Sequence, residues 1–218
     1  MVWVLYCACT HAETAKGPVR STVTPKTVLF ISSYHPAFPT FFPQIKGIGE
    51  VLSPAGVKFD VEFMDAKRFY TAADEEIFYE NLQKKLLKLP RYDLILSGDD
   101  AALHFVDEHR STLFPDQPVV FFGVNDIPYA LSFDKDPQIT GVVEKVSISE
   151  TVKVIRDTVC QSRPFVAVSD STESGDATTK QFEQNMKDMG ITDYELLSLK
   201  QLRFDEVLDK LHSKPPPC

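Results

Sequence analysis

The apolar run KTVLFISSYHP, at residues 26–36, constrains the fold of this chain more than any other stretch. Residues 27–32 are apolar except at their two ends, which is typical of a strand covered on both faces in a parallel α/β sheet. Ligands of such sheets bind beyond the carboxyl ends of the strands. The polar tip of Ser33, Tyr34 and His35 is therefore the first candidate for a binding site. The alternative is that the serines only cap the following helix and that His35 is solvated.

Strands and helices alternate along most of the chain, which predicts an α/β fold with doubly wound parallel sheets. A first lobe is expected at residues 27–143. Its predicted strands cover residues 27–32, 57–64, 92–96, 119–122 and 138–143, its helices cover 42–52, 73–89 and about 99–113, and 128–137 is irregular. In the longest of these helices, the apolar spacing predicts an inward-facing stripe of Ile77, Leu82, Leu86 and Leu89.

A second lobe is expected at residues 144–218. It contains predicted strands at 165–169 and 194–199. Helices are predicted at 147–160, from the turn at 171–175 to about 189, and at 204–212. Two strands are too few to form a complete sheet. The sequence therefore predicts a two-lobed protein whose second lobe is incomplete in this chain.

The N-terminal residues 1–12 are apolar and end in Ala12, which resembles the tail of a secretory signal peptide. Residues 13–26 are polar and are expected to form a tether, so the protein is predicted to be exported. Lipidation of Cys9 is a weaker alternative, because bulky residues precede it. Another alternative is a wrongly chosen start codon, which would leave an N-terminal tail without a function. The four cysteines have no spacing that suits a zinc site or a redox pair.

The charge of the chain argues against nucleic acid as a partner. The 218 residues carry a formal net charge of -8, and no cluster of lysine or arginine interrupts the acidic balance. A small solute is a better match to the polar strand ends, which combine hydroxyl groups, carboxylates and helix N-termini. This mixture favours a small zwitterion or another polar, amino-acid-like molecule.

The candidate ligand site consists of the polar residues at the strand ends and at the crossing between the lobes. Plain helix capping is the alternative for Asp99 and Ser171 taken singly. The predicted ligand-binding residues are Ser33, Tyr34, His35, Ser97, Asp99, Asn125, Asp126, Glu144 and Ser171.

Motifs for enzymes, cofactors and metals were not found. The chain has no glycine-rich nucleotide loop, no nucleophile elbow and no metalloprotease motif. His104 and His109 are five residues apart on one predicted helix, a spacing that places them on poorly matched faces and argues against a metal site. The chain is therefore predicted not to be an enzyme and to hold no cofactor; the alternative is an α/β enzyme that uses His35 and Asp99 as acid and base.

Five segments together resemble one family. They are ISSYHP, MDAKRF, YDLILSGDDAAL, the FP-QPVVFFGVND run and ITGVVE, spread over about residues 28–170. They resemble the ABC-transporter substrate-binding-like domains that form the extracytoplasmic sensor regions of bacterial membrane histidine kinases and diguanylate cyclases. The resemblance implies a type I periplasmic-binding-protein fold, with two lobes hinged around a cleft and no catalysis in the domain itself.

The same resemblance implies that closure around a ligand is passed to a membrane signalling module. A freestanding substrate-binding component of an ABC importer, with a permease as its partner, is the alternative. No kinase or cyclase module follows in the 218 residues, so we expect the chain to be the sensor part of a longer protein.

Export can be tested on the protein purified from its native host. Terminal sequencing is expected to find a mature chain that begins near Glu13, because the apolar run ends at Ala12. An intact Met1 on protein from the cytoplasmic fraction would contradict the prediction.

Overall fold

The computed structural model describes residues 25–158 and 165–213. The predicted leader at 1–12, the tether up to residue 24 and all four cysteines lie outside the described residues. None of the helices in the described ranges combines the length and the apolar character needed to cross a membrane.

The first unit is a five-stranded parallel sheet with helices between the strands. The strand order is β2-β1-β3-β4-β5, so β1, β3 and β4 are neighbours and β2 and β5 are the edges. The elements are β1 Thr27–Ser32, α1 Phe41–Leu52, β2 Lys58–Phe63, α2 Ala72–Leu86, β3 Leu94–Gly98, α3 Asp100–Glu108, α4 Arg110–Leu113, β4 Val119–Val124, α5 Ile127–Leu131 and β5 Ile139–Val143. This confirms the predicted doubly wound α/β class. The chain reverses its direction of winding between β1 and β3, the position where ligands of such sheets bind.

Strand β1 lies at the centre of the first core. Phe30 and Ile31 are completely buried, and Leu29 is almost so, because β1 pairs with β2 on one side and β3 on the other and helices cover both faces. The continuous apolar run therefore has the environment that its sequence predicted. The burial makes β1 a rigid base for the polar residues that follow it.

Two features of the helices differ from the sequence prediction. The helix after β3 breaks at His109, and α5 occupies part of the stretch expected to be irregular. In α2 the packed face is also different, because Ile77 is 61% exposed whereas Phe78 packs edge-on against Phe105 with ring centroids 4.9 Å apart. Leu89 lies beyond the end of α2 and is 45% exposed. An aromatic ring buries more apolar surface than isoleucine, so the helix turns the face that carries Phe78 inward.

The second unit contains a two-stranded parallel sheet within the described residues. Its elements are α6 Ile148–Thr158, β6 Phe165–Ser169, α7 Glu173–Asp188, β7 Tyr194–Ser198 and α8 Phe204–His212. Met186 is fully buried and forms a small core with Ile148 and Val152. Val154 and Val168 are more than half exposed, so the described part of the second unit is packed less completely than the first.

A buried carboxylate connects the ends of β3 and β4. Asp100 is 1% exposed, and its Oδ1 accepts hydrogen bonds from the backbone N–H groups of Asn125 and Asp126, each at 2.9 Å. The side-chain amide of Asn125 also donates to Asp100 Oδ2 at 3.4 Å. The start of α3 is thereby fixed to the turn that follows β4.

Replacing this carboxylate is expected to destabilise the first unit. Asp100→Ala would leave two backbone N–H groups without their acceptor, and we expect the free energy of unfolding to fall by about 3 kcal/mol. Asp100→Asn keeps one acceptor oxygen and should cost less. Urea denaturation measures both, with Asp134→Ala at an exposed position as a control expected to change stability by no more than about 0.5 kcal/mol. Equal losses in Asp100→Ala and in the control would contradict the assignment.

Candidate functional site

A cleft lies at the carboxyl end of the first sheet, between this sheet and the start of α7. It encloses about 650 Å³ of space, part of it open to solvent. One wall comes from the β1 tip, the β2–α2 connection and α2, and the other from the β6–α7 turn. The lining residues are Tyr34, Met64, Ala66, Phe69, Tyr70, Thr71, Asp74, Glu75, Phe78, Ala101, Ser171, Thr172, Glu173 and Ser174.

Ser33 fixes the backbone from which Tyr34 projects. Its buried hydroxyl donates to Gly98 O at 2.7 Å and accepts from the Ala102 backbone N–H at 2.8 Å. Both bonds join β1 to the end of β3 and the start of α3. Ser33 was predicted to bind ligand, and the structure places its side chain beneath the cleft as a connector between these elements.

Tyr34 forms the base of the cleft. Its ring lies 4.2 Å from the ring of Phe38, and its hydroxyl is 2.9 Å from Ser174 Oγ in the second unit. Because Ser174 Oγ donates its one proton to Asp99 Oδ1 at 2.7 Å, the tyrosine hydroxyl must be the donor to Ser174. Burial, followed by the charge of Asp99, raises the pKa of Tyr34 above its ordinary value, so the phenol stays protonated and keeps donating.

Asp99 closes this chain of hydrogen bonds. Its backbone has φ 76° and ψ 174°, a combination that residues other than glycine rarely adopt. The carboxylate accepts from the Asp100 backbone N–H at 2.9 Å, as an N-cap of α3, and from Ser174. Burial raises the pKa of Asp99, although the hydrogen bonds from Ser174 and Asp100 oppose the shift. Asp99 thus serves both as a cap and as an acceptor from the second unit.

An ion pair forms a second connection across the cleft. Lys67 Nζ, after β2, donates to Asp170 Oδ2 at 2.7 Å and to Thr172 Oγ1 at 2.8 Å. Burial opposes ionisation of Asp170, but the hydrogen bonds from Lys67 and Thr172 outweigh it and lower the pKa of this carboxyl. Gly175 allows the β6–α7 turn to fold this tightly, since a Cβ there would lie 2.1 Å from Asp170 Oδ1.

A third connection joins α3 to the first turn of α7. His104 Nδ1 lies 3.0 Å from Glu173 Oε2, and its ring packs edge-on against Tyr129 at 4.2 Å. The hydrogen bond to Glu173 raises the pKa of His104, against the effect of burial. The charged form of the histidine therefore strengthens the contact between the two units.

The α2 wall of the cleft is aromatic and acidic. Phe69, Tyr70 and Phe78 supply its rings. Asp74 is used in capping α2, because its Oδ2 accepts from Thr71 Oγ1 at 2.6 Å and from the Thr71 backbone N–H at 3.0 Å.

Glu75 is the carboxylate of this wall that a ligand could use. Burial raises its pKa first, and the charges of Glu108 and Glu173 add to the shift, whereas His109 opposes it. Among the cleft-lining residues, every side chain that is ionised at neutral pH is acidic. The lining therefore combines carboxylates with aromatic rings, and Lys67 Nζ lies 5.3 Å from the centre of the Tyr34 ring. Where Glu75 and Phe78 meet, this combination suits a cationic group on an apolar body.

The structure brings most of the predicted residues to this end of the sheet but gives them different positions. Tyr34 and Ser171 line the cleft. Ser97 is completely buried, and its Oγ has no hydrogen-bond partner in the described residues. Glu144 is exposed and lies outside the cleft lining.

The remaining predicted residues lie beside the cleft. His35 Nδ1 accepts from the Ala37 backbone N–H at 3.0 Å, and no hydrogen bond or ion pair links it to Asp99 within the described ranges. Asn125 and Asp126 contact α7 instead: Gln181 Nε2 donates to Asn125 O at 2.6 Å, and Lys180 lies 3.7 Å from Asp126. These two residues contribute to the contact between the units.

The α2 wall was not among the residues predicted from the sequence. The predicted residues lie at the strand ends and at the crossing between the lobes, whereas Phe69, Tyr70, Glu75 and Phe78 come from the β2–α2 connection and the helix itself. A signal was present in FYTAADEE at residues 69–76, where two aromatic residues and an acidic helix start follow a strand. Such a run lies at the carboxyl edge of the sheet, where it can form one wall of a ligand cleft.

No known protein-family model matches the chain, and no curated protein matches it. Solved structures do match. An ABC domain in complex with L-Trp from Streptococcus pneumonia is 17% identical, with a TM-score of 0.59 over 81% of this chain and 58% of that one. The open, ligand-free form of a substrate-binding protein with adhesive properties from Clostridium difficile is 13% identical, with a TM-score of 0.55 over 86% and 61%. A LacI transcriptional regulator from Lactobacillus brevis is 14% identical, with a TM-score of 0.52 over 86% and 63%.

These similarities define the class of fold. The chain has the α/β architecture of the two-lobed, type I periplasmic-binding-protein-like structures, which include substrate-binding domains and LacI-type regulators. It spans about three fifths of the length of each of these solved structures. The resemblance to kinase and cyclase sensor domains is not matched by any family model and stays a prediction.

The His104–Glu173 contact gives a pH-dependent prediction. Because the pKa of His104 is raised above its ordinary value of 6.5, the ion pair contributes fully to stability below that value, and the contribution is lost as the pH rises through the raised pKa. Glu173→Gln should lower the pKa of His104, as measured by NMR titration of the imidazole protons. Glu183→Gln, at an exposed position on the same helix, should leave it unchanged. An unchanged His104 titration in Glu173→Gln would show that the contact does not form in solution.

Proposed function

We propose that this chain is the extracytoplasmic ligand-binding region of a bacterial sensor, which binds a small molecule between its two units. The observation that carries the proposal is the cleft at the switch point of the first sheet, whose walls come from both units. Ligands of doubly wound sheets bind at this position. The solved structures of similar fold are binding proteins and transcriptional regulators, which supports binding in preference to catalysis.

The ligand is a small amine with an apolar or aromatic body, in keeping with the amino-acid-like solute expected from the sequence. Glu75 and Glu173 offer carboxylates to the ammonium group, and Tyr34, Tyr70 and Phe78 offer aromatic faces. The start of α7 borders the cleft and suits a carboxylate, if the ligand carries one. The structure from Streptococcus pneumonia that has a similar fold is a complex with L-Trp, a molecule with each of these groups.

Ligand binding acts by shifting the population towards the closed arrangement. The contacts that join the units include three polar pairs beside the cleft: Tyr34 to Ser174, Lys67 to Asp170 and His104 to Glu173. Polar contacts of this kind exchange readily with water, so the closed state can be left again. A ligand that touches both walls lowers the free energy of the closed state only. Closure is then passed to a membrane signalling module.

A second candidate function is the substrate-binding component of an ABC importer. It is supported by the similar fold of an ABC domain and of a substrate-binding protein. In this case closure presents the ligand to a permease. The complete gene discriminates the two functions: a downstream spanning helix followed by a kinase or cyclase module indicates a sensor, whereas a stop codon soon after the second lobe indicates an importer component.

A thermal-shift screen of amino acids and small amines is expected to identify a ligand that raises the melting temperature. Tyr34→Ala and Glu173→Gln should each weaken this ligand by about five- to a hundredfold, because each removes a buried or charged partner. Asp99→Ala should weaken it less directly, by releasing Ser174.

The controls are variants outside the cleft. Glu183→Gln matches the Glu173 change on the same helix, and His35→Ala replaces a predicted site residue that does not line the cleft. Isothermal titration calorimetry gives the affinities, and circular dichroism checks that the fold is retained. A ligand whose affinity is unchanged in both Tyr34→Ala and Glu173→Gln binds elsewhere and contradicts the assignment.

A further inference from the structure

Three side chains with metal-binding atoms meet on the outer end of the α2–α3 contact. Glu75 comes from the first turn of α2, whereas Glu108 and His109 end α3. One ligand atom from each lies within 4.8 Å of the others. The spacing of the histidines in and after α3 argued against a metal site, and His104 is indeed bonded to Glu173. The carboxylate that α2 supplies was not predicted from the sequence.

The imidazole of His109 is held in a fixed orientation. Its ring lies between Tyr79, with centroids 4.5 Å apart, and Phe105, at 4.7 Å, and only 18% of the side chain is exposed. In this position Nε2 points to Glu75 Oε1 at 3.6 Å, beyond hydrogen-bonding distance. A packed ring of this kind loses little conformational entropy when its nitrogen binds an ion.

The distance between His109 Nε2 and Glu75 Oε1 suits an ion bound to both atoms better than a direct hydrogen bond. Zinc–nitrogen and zinc–oxygen bonds of about 2.1 Å at tetrahedral angles place two ligand atoms roughly 3.4 Å apart. The observed 3.6 Å between His109 Nε2 and Glu75 Oε1 is close to this separation. Glu108 is exposed, so a small rotation of its side chain brings the third ligand into range.

The local electrostatics also favour a cation. Glu75 and Glu108 bring two carboxylates to one point, with ligand atoms within 4.8 Å of each other. The C-terminal end of α3 contributes partial negative charge, and its last turn carries no basic residue. A divalent ion at this point neutralises two carboxylates and the helix end together.

We propose that Glu75, Glu108 and His109 form a binding site for one divalent first-row transition-metal ion of the Zn²⁺ type. One imidazole and two carboxylates suit Zn²⁺ better than Mg²⁺ or Ca²⁺, which prefer oxygen ligands alone. Three protein ligands leave further coordination positions to water. The ion connects α2 to α3 beside the cleft and fixes the wall to which Glu75 belongs.

The metal site can be tested separately from the proposed ligand site, although Glu75 belongs to both. Glu108 and His109 do not line the cleft, so their replacement probes the metal alone. The experiment uses ZnCl₂ and CoCl₂ as probes on the full 218-residue chain. Calorimetry is expected to show one ion per chain, with binding weakened at least tenfold in both His109→Gln and Glu108→Gln.

The variants are matched to controls that keep the charge change but lie away from the cluster. Glu76→Gln changes the exposed neighbour of Glu75 on α2, and His212→Gln changes an exposed histidine at the end of α8. Both should bind Zn²⁺ as the natural protein does. Glu108 is exposed, so its variant is expected to fold even if the loss of the packed His109 ring disturbs the fold.

The cobalt complex identifies the ligand type. Nitrogen and oxygen ligands give only the weak visible bands of Co²⁺, whereas thiolate ligands add an intense near-ultraviolet charge-transfer band. The site predicts the weak bands alone, and these should disappear in Glu108→Gln. A thiolate band, or Zn²⁺ binding of equal strength in Glu108→Gln, His109→Gln and the natural protein, would overturn the proposal; so would the absence of Zn²⁺ binding.

Discussion

The cleft depends on buried side-chain hydrogen bonds that lock the carboxyl ends of β1, β3 and β4 together. Ser33 connects β1 to Gly98 and to the start of α3, and Asp100 connects that start to the turn after β4. Backbone pairing alone fixes the strands only along their length, whereas ligand binding needs their ends to stay in place. Because both groups are buried, each bond is costly to leave unmade, and Tyr34 and Asp99 project from a rigid edge.

The contact between the two units has a different character from this edge. It includes a tyrosine, a lysine and a histidine that reach across to Ser174, Asp170 and Glu173. Asp170 and Glu173 keep access to water, whereas Tyr34 is buried. Such contacts are individually weak when they are exposed. A rigid edge and a weak polar contact are the combination that a binding protein needs, since a ligand can then change the arrangement of the units without disturbing either core.

Carboxylates on α2 and α7 are the basis of the ligand class proposed for the cleft. The charge of Glu173 disfavours ionisation of Glu75, and a cation near Glu75 would relieve this cost. The same carboxylate, Glu75, faces Glu108 and His109 on its other side. The proposed ammonium group in the cleft and the proposed metal ion beside it would each neutralise the charge of Glu75, and their effects can be separated because only Glu75 is shared.

The sequence by itself determined the class of fold and the edge of the sheet at which to look. The apolar run of β1 dictated a strand buried on both faces, and the alternation of strands and helices dictated a parallel sheet, because these patterns arise from local burial. Only the tertiary structure decided which polar residues meet. Ser33 and Ser97 are buried and do not line the cleft. Phe78, and not Ile77, packs against the core, and Glu75 lies beside His109. Contacts of this kind depend on how separate elements pack against one another. The spacing of residues along the chain does not determine the distance between side chains on different elements.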